Sequence, residues 1–494
     1  MSGQQQTTTV GQLPSPGSNS ERVPAALTRL VWVLWLASVG VLAATVLRGG
    51  WELPGVAVVD GLTAVMWVTA TFFSGIIHSY SRRYMAGSKT IDRFFGRVFA
   101  FTLAVLALVA ADHLLLFAAA WLAMGLLMAE LIGHVENWPQ AQAAGSLARR
   151  SFLGSTAALG AALLVLWYHT GATAISEIPS SLGAASTPVV VAAAGALLLA
   201  AMIQSALVPF HTWLLSSMTA PTPASALMHA GFVNAGGILL IRFAPVVTVE
   251  PAVMLAIVLA GAASALLGKL LKTVQTDVKG KLACSTTGQM GFMIMQAGLG
   301  FFAAALTHLI LHGFYKAYQF LGSGSQISQQ SPTKTPTTGS TGPAGAAVVA
   351  LTAIAGGLVF AVLTGKGMKL DSGLLLAMLV VLTVLHAARD IVAQASLPAT
   401  VRYGAVPAVA LPAIAVYGVV YRGIEGMLAG LPATGQSAEL TVVHGLVGVA
   451  FLAAYLAVER GVYTRSKRLY VAMLNATQPP TDTQLTTTED YNEY

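Results

Sequence analysis

Apolar blocks recur along this chain at a length that leaves few folds open. Crossing a bilayer takes about 20 mostly apolar residues in a helix. The first such block spans residues 30–47. Others follow near 60–80, 95–111, 114–133, 152–169, 187–207, 222–244, 251–272, 283–298, 301–322, 345–365, 372–395, 404–424 and 439–459. About fourteen transmembrane helices are expected on this length rule. No stretch alternates apolar and polar with period two, as a membrane barrel strand would. Charge agrees: Lys plus Arg (26) and Asp plus Glu (19) make up 9% of 494 residues, against about 25% in soluble proteins. That is too little to face water over a globule of this size, so a soluble enzyme and a disordered chain are excluded. One cysteine, Cys284, excludes a disulfide scaffold and a thiolate metal cluster. The expected fold is an all-α polytopic membrane protein.

The polar stretches divide the chain. Residues 1–26 read as a disordered cytoplasmic tail, 27–325 as a core transmembrane domain, and 326–343 as a Ser/Thr/Pro/Gly-rich linker. Residues 344–465 read as further transmembrane helices and 466–494 as a second cytoplasmic tail, acidic at its end. Numbering loops by the span they follow, the termini and even loops hold roughly 18 Lys and Arg, among them Arg82, Arg83, Arg149, Arg150, Lys279 and Lys281. The odd loops hold only Arg48, Arg242, Lys366, Lys369 and Arg422. The net charge of +7 is therefore an orientation signal and no nucleic-acid footprint, and both termini are expected in the cytoplasm.

Ionisable groups inside spans are costly and usually mark ion paths. Here they are Glu130, Lys269 and Lys316, with Arg389-Asp390 toward the end of the twelfth span. The sharpest set is His308, His312 and Lys316, at i, i+4 and i+8 of one helix. They share an arc of about 80° and climb about 6 Å per step. Histidine titrates near physiological pH, and a lysine taken out of water holds its proton less firmly. The row can pass protons through bridging waters, or it can cross-link helices by hydrogen bonds.

No charge occurs between Glu177 and Arg242, yet Pro221 and Pro223 fall there and interrupt any continuous helix. Broken helices at membrane depth line cavities or are buried in protein. His229 is within a turn or two of the expected break, beside Asn234, Gly236 and Gly237. Two readings stand for Glu130: a pathway carboxylate, or a helix-end group reaching water near His134 and Glu136. Lys269 is either a pathway group or a snorkelling lysine. Asp60, His78 and the Arg389-Asp390 pair read as structural.

These residues resemble the proton-translocating, antiporter-like subunits of respiratory NADH:quinone oxidoreductase (subunit 5, or NuoL, type) and of multisubunit Mrp sodium/proton antiporters. The resemblance runs from about Asp60 to Ser325. It rests on Asp60-Gly61-Leu62 with His78, Tyr80 and Tyr84, then on Pro209-Phe210-His211-Thr212-Trp213-Leu214 and the Pro221–His229 stretch. Further on it includes Gln275-Thr276-Asp277-Val278-Lys279, Ser285-Thr286 with Gln289 and Gly291, and the helix from His308 through Lys316 to Phe320. It implies that His308, His312, Lys316 and His229 form a proton or cation path, with Lys269 and Glu130 as further candidates. Two departures stand out. Leu122 follows Trp121 where the family carries a glutamate, and Gln204 stands where it carries a lysine. That pair is central to proton loading in the respiratory subunits. A shortened chain without it also resembles DabB, the membrane subunit family of DAB inorganic-carbon pumps. That resemblance implies H⁺ or Na⁺ as coupling ion and a partner, DabA, a cytoplasmic zinc protein similar to β-carbonic anhydrases. The CO2 chemistry and the zinc belong to the partner, and no catalytic residue, cofactor or metal site is expected in this chain. The alternative is a subunit of a respiratory NADH dehydrogenase or of a multisubunit Na⁺/H⁺ antiporter. The location implied is the bacterial inner membrane.

Overall fold

In the bilayer, a backbone must satisfy its own hydrogen bonds, and the apolar runs do so as helices. The computed structural model describes residues 22–323, 342–392, 399–435 and 437–483. In chain order these form α1 (Arg22–Arg48), a hairpin of β1 (Trp51–Leu53) and β2 (Ala57–Val59), α2 (Gly61–Tyr84), α3 (Ile91–Ala110), α4 (Leu114–Ile132) and α5 (Pro139–Thr170). Next come a short α6 (Ile178–Ser181), α7 (Thr187–Gln204), a short α8 (Thr212–Ser216), α9 (Thr222–Ala230), α10 (Ala235–Arg242), a short α11 (Ala244–Val247) and α12 (Pro251–Lys272). The remainder is α13 (Val278–Gly298), α14 (Phe302–Leu321), α15 (Pro343–Thr364), α16 (Gly373–Val392), α17 (Ala399–Leu428), α18 (Val442–Glu459), α19 (Val462–Arg465) and α20 (Lys467–Ala476).

Each expected apolar run overlaps one of these helices, except 222–244, which is divided between α9 and α10, and 372–395, whose last three residues lie outside the described ones. Among the described residues, 11 helices are long and apolar enough to cross a membrane, with α9 and α10 counting together as one span. α13 and α14 are of similar length, 21 and 20 residues, but carry lysines and histidines. The α9–α10 span is 94% buried, whereas α1 and α17 are only 11% buried. The interrupted span therefore sits at the centre, and the outer helices present apolar faces to lipid.

Hydrogen bonds join loops of like parity, as alternating helices require. On the even side, Tyr84 reaches Thr222, and Lys279 Nζ donates to the Met218 carbonyl at 3.1 Å. On the odd side, Asp112 accepts from Ser176, and the Ala438 amide donates to the Leu299 carbonyl. Asp60 caps α2 by accepting from the Thr63 amide at 2.9 Å and also pairs with the buried Arg242. Both termini of the sheet-like hairpin thus lie beside an ion pair that ties α2 to α10, the structural role expected of Asp60. His78 is likewise buried, bonded through Nδ1 to the Ser74 carbonyl at 2.8 Å.

Close backbone approach is bought by glycine: a Cβ on Gly291 would lie 2.5 Å from the Ala265 amide nitrogen, so α12 and α13 pack nearly backbone to backbone. The hairpin was not expected from the sequence, and neither was α20. From α20 the chain returns to the core: His211 Nε2 donates to the Ala476 carbonyl at 3.1 Å, and Thr483 Oγ1 bonds Ser216 Oγ at 3.2 Å. The N-terminal tail to Glu21, most of the linker, residues 484–494 and the side chains of Arg389 and Asp390 lie outside the described residues.

Candidate ion pathway

The chain starts α9 where proline permits a start. Pro221 stands at its N-cap and Pro223 in its first turn, positions where the missing N–H costs nothing. The two prolines therefore separate α9 from the short helical turns at 212–219. A second interruption, which sequence reasoning missed, lies ten residues on. α9 ends when Gly231 donates to the Leu227 carbonyl, residues 232–234 make a single tight turn, and Asn234 Nδ2 covers the freed Ala230 carbonyl at 2.7 Å. A cavity of about 40 Å³ opens there, lined by Gly231, Phe73, Phe101, Thr102, Met124 and Leu309 among others.

His229, on the last turn of α9, is fully buried. Its Nδ1 bonds Thr286 Oγ1 at 2.9 Å, and its ring stacks on Phe320 of α14, centroids 4.3 Å apart. Thr286 has one hydroxyl proton and gives it to the Leu282 carbonyl at 2.9 Å, so His229 is the donor in their bond. The same carbonyl accepts from Lys316 Nζ at 3.0 Å. A connected set results: Lys316, the Leu282 carbonyl, Thr286, His229. Among the described residues Lys316 is fully buried and makes no ion pair. Along α14, the rings of His312 and His308 stack at 5.8 Å and 20°. The Nε2 atoms of His229, His308 and His312 have no hydrogen-bond partner within the protein. Each is thus open to exchange a proton with water or with a neighbour that rotates toward it. Gly313 makes the arrangement possible, because a Cβ there would lie 2.7 Å from the Phe73 ring and 2.9 Å from the Ala230 carbonyl.

The other candidates are elsewhere. Lys269 is exposed on α12, outside this set. Glu130 ends α4 held by two arginines: Arg97 at 2.6 Å and Arg149. Beside it, Arg97 also bonds His134, Thr90 bonds the other ring nitrogen at 2.9 Å, and Arg93 pairs with Glu136. Burial, with Arg97 and Arg93 adding to it, pushes His134 down to about 4. Glu130 thus stands at a helix end within an ion cluster, with one guanidinium on each carboxylate oxygen. Leu122 is half-buried, and Gln204 is fully buried with neither amide atom partnered within the protein. Thr286 and Leu282 escaped sequence reasoning as site residues; Thr286 stood in a quoted motif, but its pairing with His229 spans 57 positions. Among the described residues no group of three or more His, Cys, Asp or Glu forms a metal-ligand set.

An interrupted central span, a buried lysine–histidine row beside it and an otherwise apolar helical bundle define a polytopic membrane subunit of antiporter-like type. Residues 111–384 match the family described as "NADH:quinone oxidoreductase/Mrp antiporter, TM", and residues 49–95 match the "NADH-Ubiquinone oxidoreductase (complex I), chain 5 N-terminus". The chain belongs to this NADH:quinone oxidoreductase/Mrp antiporter family. Among curated proteins it is 40% identical to "Probable inorganic carbon transporter subunit DabB1" of Halothiobacillus neapolitanus, over 55% of this chain and 50% of that protein. It is 35% identical to the corresponding DabB of Bacillus subtilis, over 71% of this chain and 68% of that protein. It is 36% identical to NADH-quinone oxidoreductase subunit L of Mycobacterium tuberculosis, over 54% of this chain and 43% of that protein. The matches to the first of these relatives span about half their length. Among solved structures, the Mrp complex from Dietzia sp. DQ12-45-1b has a chain of the same fold, with TM-score 0.60 and 21% identity over 92% of this chain and 56% of that one.

Proposed function

We propose that this chain is the proton- or cation-conducting membrane subunit of an energy-coupled inorganic-carbon pump in a bacterial inner membrane. The even-loop face, rich in Lys and Arg, is the cytoplasmic one, and both termini lie on it. Ions enter from the odd-loop face, follow the His308–His312–Lys316 row, and reach the cytoplasmic side beside His229 and Lys279. Their downhill movement drives a cytoplasmic zinc partner resembling a β-carbonic anhydrase to convert CO2 and water into bicarbonate and a proton in one direction. The chemistry is the partner's; this chain supplies the ion path.

One observation carries the reading: among the described residues Lys316 is buried without a counter-ion, in a bonded set with His229. The similarity to inorganic-carbon transporter subunits supports it further. In cells dependent on carbon uptake, Lys316→Ala is expected to abolish bicarbonate accumulation while assembly persists. Full uptake at normal protein levels would overturn the central role of Lys316. Purification should bring down a soluble zinc protein. The 36% identity to a NADH-quinone oxidoreductase subunit favours a second reading, in which many membrane subunits co-purify instead. A non-conducting scaffold would show no proton flux that Lys316→Ala removes.

A further inference from the structure

Helix α17, which packs against α14, repeats the spacing that singles out that helix. Tyr417, Tyr421 and Glu425 stand at i, i+4 and i+8, within an arc of about 80°. Tyr421 is fully buried and donates its hydroxyl to Glu425 Oε1 at 3.0 Å. Glu425 holds Arg422 Nη1 at 2.8 Å and Lys366 Nζ at 3.5 Å, and a third of its side chain is open to solvent. This end of α17 belongs to the odd-loop face, with Lys366 on the loop after α15. Inward, the Tyr417 hydroxyl meets the side-chain amide of Gln296 on α13. Gln296 is buried, and its Oε1 has no partner within the protein. One turn before Gln296 on α13, Phe292 packs on His308 with ring centroids 5.4 Å apart. Polar groups thus lead inward from the odd-loop surface as far as Gln296, one turn from the Phe292 that packs on His308. The helix that carries them is otherwise apolar and largely exposed to lipid, where buried hydroxyls and carboxylates are costly to keep.

We infer that Tyr417, Tyr421 and Glu425 form a second relay, which carries protons between the His308 end of the inner row and the odd-loop face. The inference rests on the conducting role proposed above. A phenol is both donor and acceptor. Each tyrosine gives its O–H proton to the next acceptor and takes one from behind, so neither changes its charge over a cycle. For inward flow, Glu425 takes a proton from water as a carboxylic acid and passes it to Tyr421 Oη while the Tyr421 proton moves on toward Tyr417. The Gln296 amide holds the Tyr417 hydroxyl at the inner end of the relay. Glu425 returns to the carboxylate and re-forms its pairs with Lys366 and Arg422.

The test uses membrane vesicles holding the full chain with whatever proteins co-purify with it, and reads proton flux per mole of assembled complex with a pH-sensitive dye. The double variant Tyr417→Phe/Tyr421→Phe keeps both rings and removes only the hydroxyls. It should slow flux at least tenfold, and Glu425→Gln should do the same without removing bulk. Wild-type flux in the double variant, with Lys316→Gln blocked, would overturn the second relay and leave the conducting role standing. Undiminished flux in Lys316→Gln would overturn the conducting role, and the relay with it.

Discussion

Lys316 and Glu130 are both ionisable groups on membrane-length helices, and the structure treats them in opposite ways. Glu130 is half-exposed at a helix end, and Arg97 and Arg149 occupy its oxygens. Among the described residues Lys316 is fully buried, makes no ion pair and donates to the Leu282 carbonyl. A group whose charge is matched on every side holds a helix end in place; changing its protonation would cost it those partners. A group with one neutral acceptor, in reach of histidines with free nitrogens, can change protonation without dismantling its surroundings. On the proposed function, the difference between anchor and carrier is the number of partners, not the depth in the sequence at which a charge appears.

The largest effect should come from a substitution that keeps the Lys316 charge but prevents its release. Lys316→Arg retains a donor for the Leu282 carbonyl, and a guanidinium does not deprotonate in proteins. Proton flux should fall roughly 100-fold, the scale of a lost acid–base group. Normal flux would mean that charge alone suffices, and the comparison would break. Next is Asp60→Asn, which leaves the buried Arg242 uncompensated. Unfolding in detergent should register a loss of about 3 kcal/mol, with flux per assembled molecule unchanged. A flux defect without a stability defect would move this pair from the anchors to the carriers. Glu130→Gln should cost about 1 kcal/mol or less, since Glu130 and Arg149 are well open to solvent, Arg97 being the more buried partner. Flux should again be spared.

The smallest effect sharpens the picture of the Glu130 corner. His134 is held at about 4, below the ordinary 6.5, so the unfolded chain takes up a proton before the folded one does. Its contribution is intact above pH 6.5 and is lost as pH falls toward 4, with a slope of at most about 1.4 kcal/mol per pH unit. Thermal midpoints at pH 7.5 and pH 5 should differ more in the wild type than in His134→Gln. Equal differences would remove His134 from the cluster's electrostatics.

Much of this was legible in the sequence for a simple reason: lipid demands long apolar helices, and their lengths are written directly in the residues. The α14 row was legible too, because its members share one helix and helical geometry alone brings them onto one face. What escaped depends on packing between helices. Lys269 and Lys316 look alike in an apolar run, and nothing local says that one faces outward on α12 and the other inward on α14. The interruption at Gly231 hid inside an apolar stretch with no proline to mark it. The Thr286 contact to His229 and the Tyr421 contact to Glu425 show the two cases side by side: the first crosses helices and was invisible, while the second is an i, i+4 pair that periodicity could have flagged had tyrosines been weighed as carriers.

The close fit at Gly313 bears on tempo. A sideways step of α14 by the width of one methyl group would drive it into the Phe73 ring and the Ala230 carbonyl, so α14 packs tightly against the end of α9 that carries His229. On the proposed function, opening and closing of the path then falls to rotating side chains, which need not wait for the microseconds to milliseconds that displacing whole helices takes.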